Sequence, residues 1–211
     1  MADTASVTTF VMGAQVPWPD DSLAPSTSGA FDTALVRAAG SSQHFSIRKI
    51  SSLGATLVGE IGQAAGDEVV LELASGHRAP ATVEWAKGGE TGVCFRRPLD
   101  VLALINRNLV SQPAERRAMP RVEIRCGGFL KRGEEFLPVT IRNISAAGLQ
   151  VESNSLPAPG SYVSIFIEGL SLSPGEIAWR KGNLAGIALM EALRWSSIMP
   201  WIRDLVRREA N

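Results

Sequence analysis

A chain of 211 residues, 45% hydrophobic and 20% charged, has enough apolar material for one large or two small cores and is not a wholly disordered chain. Its 21 Lys plus Arg balance its 21 Asp plus Glu, which argues against a coat for nucleic acid or for an anionic membrane. Twenty Gly and twelve Pro fit the many turns of a β-rich chain better than a helical bundle.

Cysteine and histidine narrow the chemistry. Cys94, Cys126, His44 and His77 have no zinc-site spacing and no Cys-x-x-Cys, so no metal is expected and each thiol reads as a small buried hydrophobe. No Ser-His-Asp, Cys-His or paired-carboxylate arrangement is visible, so no catalytic residue is assigned and the chain does not read as an enzyme. There is no basic stretch followed by an apolar run at the start. The apolar stretches are shorter than the ~18 residues of a membrane span, so a cytoplasmic protein without membrane insertion is expected.

Residues 1–29 are small and polar and read as a weakly ordered arm, although Trp18, between Pro17 and Pro19, is a candidate aromatic anchor. Beyond the arm lies an internal repeat. Residues 46–95 laid over 140–189, a constant offset of 94, give 13 identities over 50 positions, among them Gly54/Gly148, Trp85/Trp179 and Gly92/Gly186. Chance gives about 3 to 4 at ordinary composition. The period is too long for a solenoid and matches a duplicated small domain, with copies at 30–112 and 113–211.

Each copy reads as strands. Val69, Leu71 and Leu73 alternate, as do Val163, Ile165 and Ile167, and as do Leu137, Val139 and Ile141. Thr82–Trp85 and Gly92–Phe95 bracket Gly88-Gly89, and Glu176–Trp179 and Leu184–Leu189 bracket Lys181, Gly182 and Asn183, as in hairpins. Helical spacing follows each set: Leu99, Leu102, Ile105 and Leu109 with Asp100 near the start, then Leu193, Ile198, Ile202 and Leu205. Pro200 should kink that second helix or open a new one.

Two clusters in the second copy carry chemistry. Arg116, Arg117 and Arg121 precede a strand, and Asn143-Ile144-Ser145-Ala146-Ala147-Gly148 runs off a strand end into a turn. Guanidinium groups pair bidentately with phosphate or with guanine O6 and N7 and stack on bases. Asn143 both donates and accepts, Ser145 adds a hydroxyl, and Gly148 permits a positive φ or a close backbone approach. Trp179 suits either base stacking or core filling. In order and at this gap, Arg117-x-x-x-Arg121 and Asn143-x-Ser145-x-x-Gly148 resemble the PilZ signature, and Trp179 with Gly186 resembles the family's later Trp…Gly stretch. Asn143 stands where the family more often has Asp.

The resemblance implies two tandem six-stranded antiparallel PilZ-like β-barrels, each followed by a helix. It implies a receptor for the second messenger cyclic di-GMP, with no cofactor besides that ligand. The ligand set would be Arg116, Arg117, Arg121, Asn143, Ser145, Gly148 and Trp179. The first copy keeps Ser51 and Gly54 but has Lys49 in place of Asn143 and no arginine near 23 or 27, so it should not bind the dinucleotide. The mechanism expected is ligand-induced ordering of 113–121 and rearrangement of the two barrels, acting on a protein effector. The other reading is a nucleotide-independent adaptor whose barrels bind a component of motility, secretion or polysaccharide synthesis. Nucleic-acid binding is not expected at balanced charge.

Overall fold

The computed structural model describes residues 6–13, 15–18, 29–30, 32–111 and 121–209, which fall into two compact units, 1–120 and 121–211. In the first unit the short strands β1 (Ser6–Val7), β2 (Thr9–Val11) and β3 (Gly29–Ala30) precede β4 (Asp32–Ala38), β5 (Ser41–Ile50), β6 (Gly54–Val58), β7 (Glu68–Leu73), β8 (Arg78–Lys87) and β9 (Glu90–Phe95). Helix α1 (Val101–Ser111) follows. Strands β4 to β9 pair antiparallel in the closed order β4-β5-β6-β9-β8-β7 and back to β4.

The second unit holds β10 (Arg121–Arg132), β11 (Glu135–Ile144), β12 (Gly148–Glu152), β13 (Tyr162–Phe166), β14 (Gly175–Lys181), β15 (Leu184–Leu189) and α2 (Trp195–Glu209). Its six strands close antiparallel in the order β10-β11-β12-β15-β14-β13 and back to β10.

Alternation explains the walls. Val69, Leu71 and Leu73 are buried on β7, and Leu149 and Val151 on β12, with the residues between them on the other face. Closure removes the free edges that would otherwise invite pairing with other chains. The tight β8–β9 turn uses Gly88 and Gly89 at φ 62° and 75°, the left-handed pair that such a two-residue hairpin requires.

Both helices begin on side-chain or backbone caps. Asp100 Oδ1 accepts from Ala103 N–H at 3.0 Å, an N-cap, and Val101 and Ile105 are buried one turn apart. Leu99 lies ahead of α1 instead of inside it, its N–H donating to Ser52 O at 2.8 Å. Helix α2 starts at Trp195 and runs on through Pro200, so the proline does not open a new helix. The missing N–H and ring clash cost about 3 kcal/mol. Ile198, Met199 and Ile202 are buried around that position, and at about 1.5–3 kcal/mol each they outweigh it. Trp201 Nε1–H adds a bond to Glu168 O at 2.9 Å.

Two further expectations need correction. Part of the arm is folded: β2 lies parallel to β5 with Phe10 opposite Ile50, and Thr8 to Val11 are buried. Thr8 Oγ donates to Ile47 O at 2.7 Å and accepts from Asp32 N–H at 2.8 Å, which fixes the strand despite its polar sequence. The cysteines, expected to be buried, are not in a disulfide and are only half-buried, and burial together with Glu84 pushes the Cys94 thiol pKa up.

Candidate ligand-binding site

The second motif sits where β11 turns into β12. Ser145 N–H and Ser145 Oγ–H both donate to Gly148 O, at 2.9 and 3.2 Å, closing the turn. The carbonyls of Ala146 and Ala147 accept from Leu193 N–H at 2.8 Å and Leu189 N–H at 2.9 Å, so the turn also holds the chain leaving β15. Gly148 has no positive φ; a Cβ there would stand 2.2 Å from Ile187 O. Of the two roles open to Gly148, close backbone approach is the one the fold uses.

A row of residues crosses the barrel wall from this turn. Asn143 pairs with Gln150, Gln150 with Gly186, and Gly186 with Trp179. Leu149, Val151, Ala185 and Ile187 face the core, so the alternating Gln150 and Gly186 face outward. Register shifts between Ile141 and Asn143 and between Ile177 and Trp179 re-aim the residues at either end of the row. Asn143 is 6% and Gln150 7% exposed, and Asn143 Nδ2–H donates to Gln150 Oε1. Trp179 is 39% exposed and its indole lies over Gly186, whose absent Cβ would sit 2.1 Å from Nε1. Trp179 is therefore not a core filler; the missing side chain at 186 makes a shelf for an exposed ring. Gln150 was not singled out from the sequence. Its signal was there: it lies seven residues past Asn143, between two inward residues of β12.

Arg121 opens β10, where the register Val122 to Ile144 brings its strand end beside the start of the turn. It is half-buried, and burial pushes its guanidinium pKa down. Below the row, Arg142 pairs with Glu152 at 2.6 Å, and Glu152 also accepts from Asn183 Nδ2–H at 2.8 Å. Arg116 and Arg117 lie outside the described residues. The structure thus brings Asn143, Ser145, Gly148 and Trp179 to one wall with Arg121 at its start. Among the described residues no group of His, Cys, Asp and Glu could hold a metal ion, and no helix is long and apolar enough to cross a membrane.

Residues 115–198, from the arginine cluster past Gly186, match the family described as PilZ domain. Comparison with curated proteins gives no match. Among solved structures the chain is similar to the PlzA protein of Borreliella burgdorferi in complex with cyclic di-GMP, at 13% identity over 80% of this chain and 85% of that one, TM-score 0.33. It is similar to the inhibitor of motility (MotI/DgrA) of Bacillus subtilis, at 14% identity over 85% and 97%, TM-score 0.30. It is also similar to YcgR of Escherichia coli in complex with cyclic di-GMP, at 11% identity over 85% and 85%, TM-score 0.29.

Proposed function

We propose that the protein is a cyclic di-GMP effector, with the ligand on the outer wall of the PilZ domain. The observation that carries this reading is the row Asn143–Gln150–Gly186–Trp179, which starts beside the motif turn inside a PilZ family match. Trp179 offers a face for a guanine, and Asn143 offers amide donors and an acceptor for a base edge. Ser145 adds its hydroxyl at the turn, and Gly148 lets the two strands close beneath it. Arg121, destabilised by burial, gains an anionic partner when a phosphate arrives. Arg116 and Arg117 complete the clamp.

In this account the first unit is a diverged copy of the same barrel, without a dinucleotide site. It shares the offset-94 identities and the same strand order. Ligand orders 113–121 and rearranges the two units, and the changed surface is read by a protein effector in the cytoplasm. No reaction is assigned; the work is binding and relay.

A thermal-shift titration tests this. A ligand at 100 times its dissociation constant stabilises the folded state by about 2.7 kcal/mol, so cyclic di-GMP should raise the melting temperature while GMP does not. No shift at about 100 μM cyclic di-GMP, a free energy weaker than roughly −5.4 kcal/mol, would move the protein to the nucleotide-independent adaptor class.

A further inference from the structure

We infer that the outer wall of the first unit is a docking site for a Pro–Trp peptide, filled in cis by the chain's own Pro17-Trp18. The row that corresponds to Asn143–Gln150–Gly186–Trp179 is Lys49–Thr56–Gly92–Trp85, paired through the same strands. It is covered. Thr56 is fully buried and Lys49 is 3% exposed, much as Gln150 and Asn143 are, but Trp85 is half-buried where Trp179 is exposed.

The cover is the segment that follows β2. Thr56 Oγ–H donates to Pro17 O, and Pro17 is buried. The Trp18 ring meets Trp85 edge to face, with centroids 5.6 Å apart and planes at 78°. A Cβ at Gly92 would fall 2.3 Å from the Trp85 ring and 2.8 Å from Trp18 Cζ3, so both indoles use the space that glycine leaves. Ser52 Oγ–H reaches Gly13 O at 3.3 Å, and β2 beside β5 delivers the segment. Val16 is exposed and takes no part in the anchoring.

These groups recognise one chemistry. A carbonyl must meet the Thr56 hydroxyl, and an indole must lie against Trp85 over Gly92. Proline, with φ already fixed, lowers the entropy lost on docking. An indole thus occupies, on this wall, the place a guanine would take beside Trp179. The inference concerns the first unit alone and stands whether or not the second binds cyclic di-GMP.

The test uses the full chain carrying Trp18→Ala and a fluorescein-labelled peptide of residues 13–20. In the wild type the tethered segment competes at an effective concentration of about millimolar, so the peptide should bind the variant about tenfold tighter or better. The same peptide with its Trp replaced by Ala should not bind. A folded variant that binds the peptide no better than wild type overturns the proposal. Should the variant fail to fold, 19F spectra of the 5-fluorotryptophan-labelled chain decide. The Trp18 resonance, assigned with Trp18→Phe, should move on Trp85→Phe and stay put on Trp179→Phe. A resonance indifferent to Trp85→Phe overturns it.

Discussion

Replacing Gly148 by alanine places a Cβ 2.2 Å from the Ile187 carbonyl oxygen and 3.3 Å from its carbonyl carbon. Both atoms are backbone of β15, held to β12 at register positions from Gly148–Ala188 to Glu152–Leu184, so relief requires opening that ladder. Overpacking costs about 1–3 kcal/mol, and a clash with paired backbone belongs at the upper end. At about 4–8 °C per kcal/mol for a domain of this size, a loss near 3 kcal/mol lowers the melting temperature by about 12–24 °C. Gly54 in the first unit makes the same approach, a Cβ there meeting Val93 O at 2.3 Å, so Gly54→Ala should cost a similar amount although the proposed dinucleotide site is in the other unit. Gly182→Ala is the control. Its φ of +60° with open space around it carries only the left-handed penalty of about 1–2 kcal/mol. Circular-dichroism melts without ligand measure all three. Gly148→Ala melting within about 3 °C of wild type would refute the steric argument. So would a Gly54→Ala variant as stable as wild type, since the two glycines would then not share a role.

The remaining predictions are smaller in effect. Asn143→Ala removes the donor to the buried Gln150 carbonyl oxygen and should cost about 1–3 kcal/mol in urea unfolding. Asn143→Asp should lose less, because Gln150 can turn its amide to donate; equal losses would contradict the pairing. Trp179→Ala, an exposed ring, should leave stability within about 1 kcal/mol of wild type and reduce cyclic di-GMP affinity by about 1–3 kcal/mol, the loss of one base stack. Unchanged affinity would remove Trp179 from the site. Burial raises the Cys94 pKa in the folded chain, so this thiol favours its neutral form. Its contribution to stability is intact below the unfolded thiol pKa and is lost as pH rises through the folded one. Iodoacetamide labelling of Cys94 against pH should have a higher midpoint in the native protein than in denaturant; a native midpoint at or below the denatured one would contradict the shift.

Much of the second unit was legible because its signals are local. Leu137, Val139 and Ile141 announce their strand by alternation, and the Asn143–Gly148 spacing falls on one turn of the backbone. The offset of 94 carried the hairpins across to the first unit, where Gly88-Gly89 marks the turn without ambiguity. The misses depend on partners distant in sequence. Thr8 and Thr9 look like loop residues until β5 supplies the backbone they pair with. Trp18 was legible as a candidate anchor, but its seat was not, because Gly92, far along the chain, leaves the space beside Trp85. Pro200 breaks helices in isolation, but here tertiary burial of its neighbours decides. Gln150 is an ordinary polar residue on a strand until the register sets it between Asn143 and Gly186. The family motif itself hides a division of labour: Ser145 and Gly148 hold backbone together in this fold, and their counterparts Ser51 and Gly54 do so in the first unit as well.

Calorimetric titration of cyclic di-GMP into the full chain, with Arg117→Ala in parallel, tests the central claim most directly. The account predicts saturable binding at micromolar concentration or tighter. Loss of one arginine from a desolvated charge pair should weaken it by roughly 2–5 kcal/mol, about 30-fold or more. A wild-type chain that gives no heat and no competition with labelled ligand, or an Arg117→Ala chain that binds as wild type does, would contradict it.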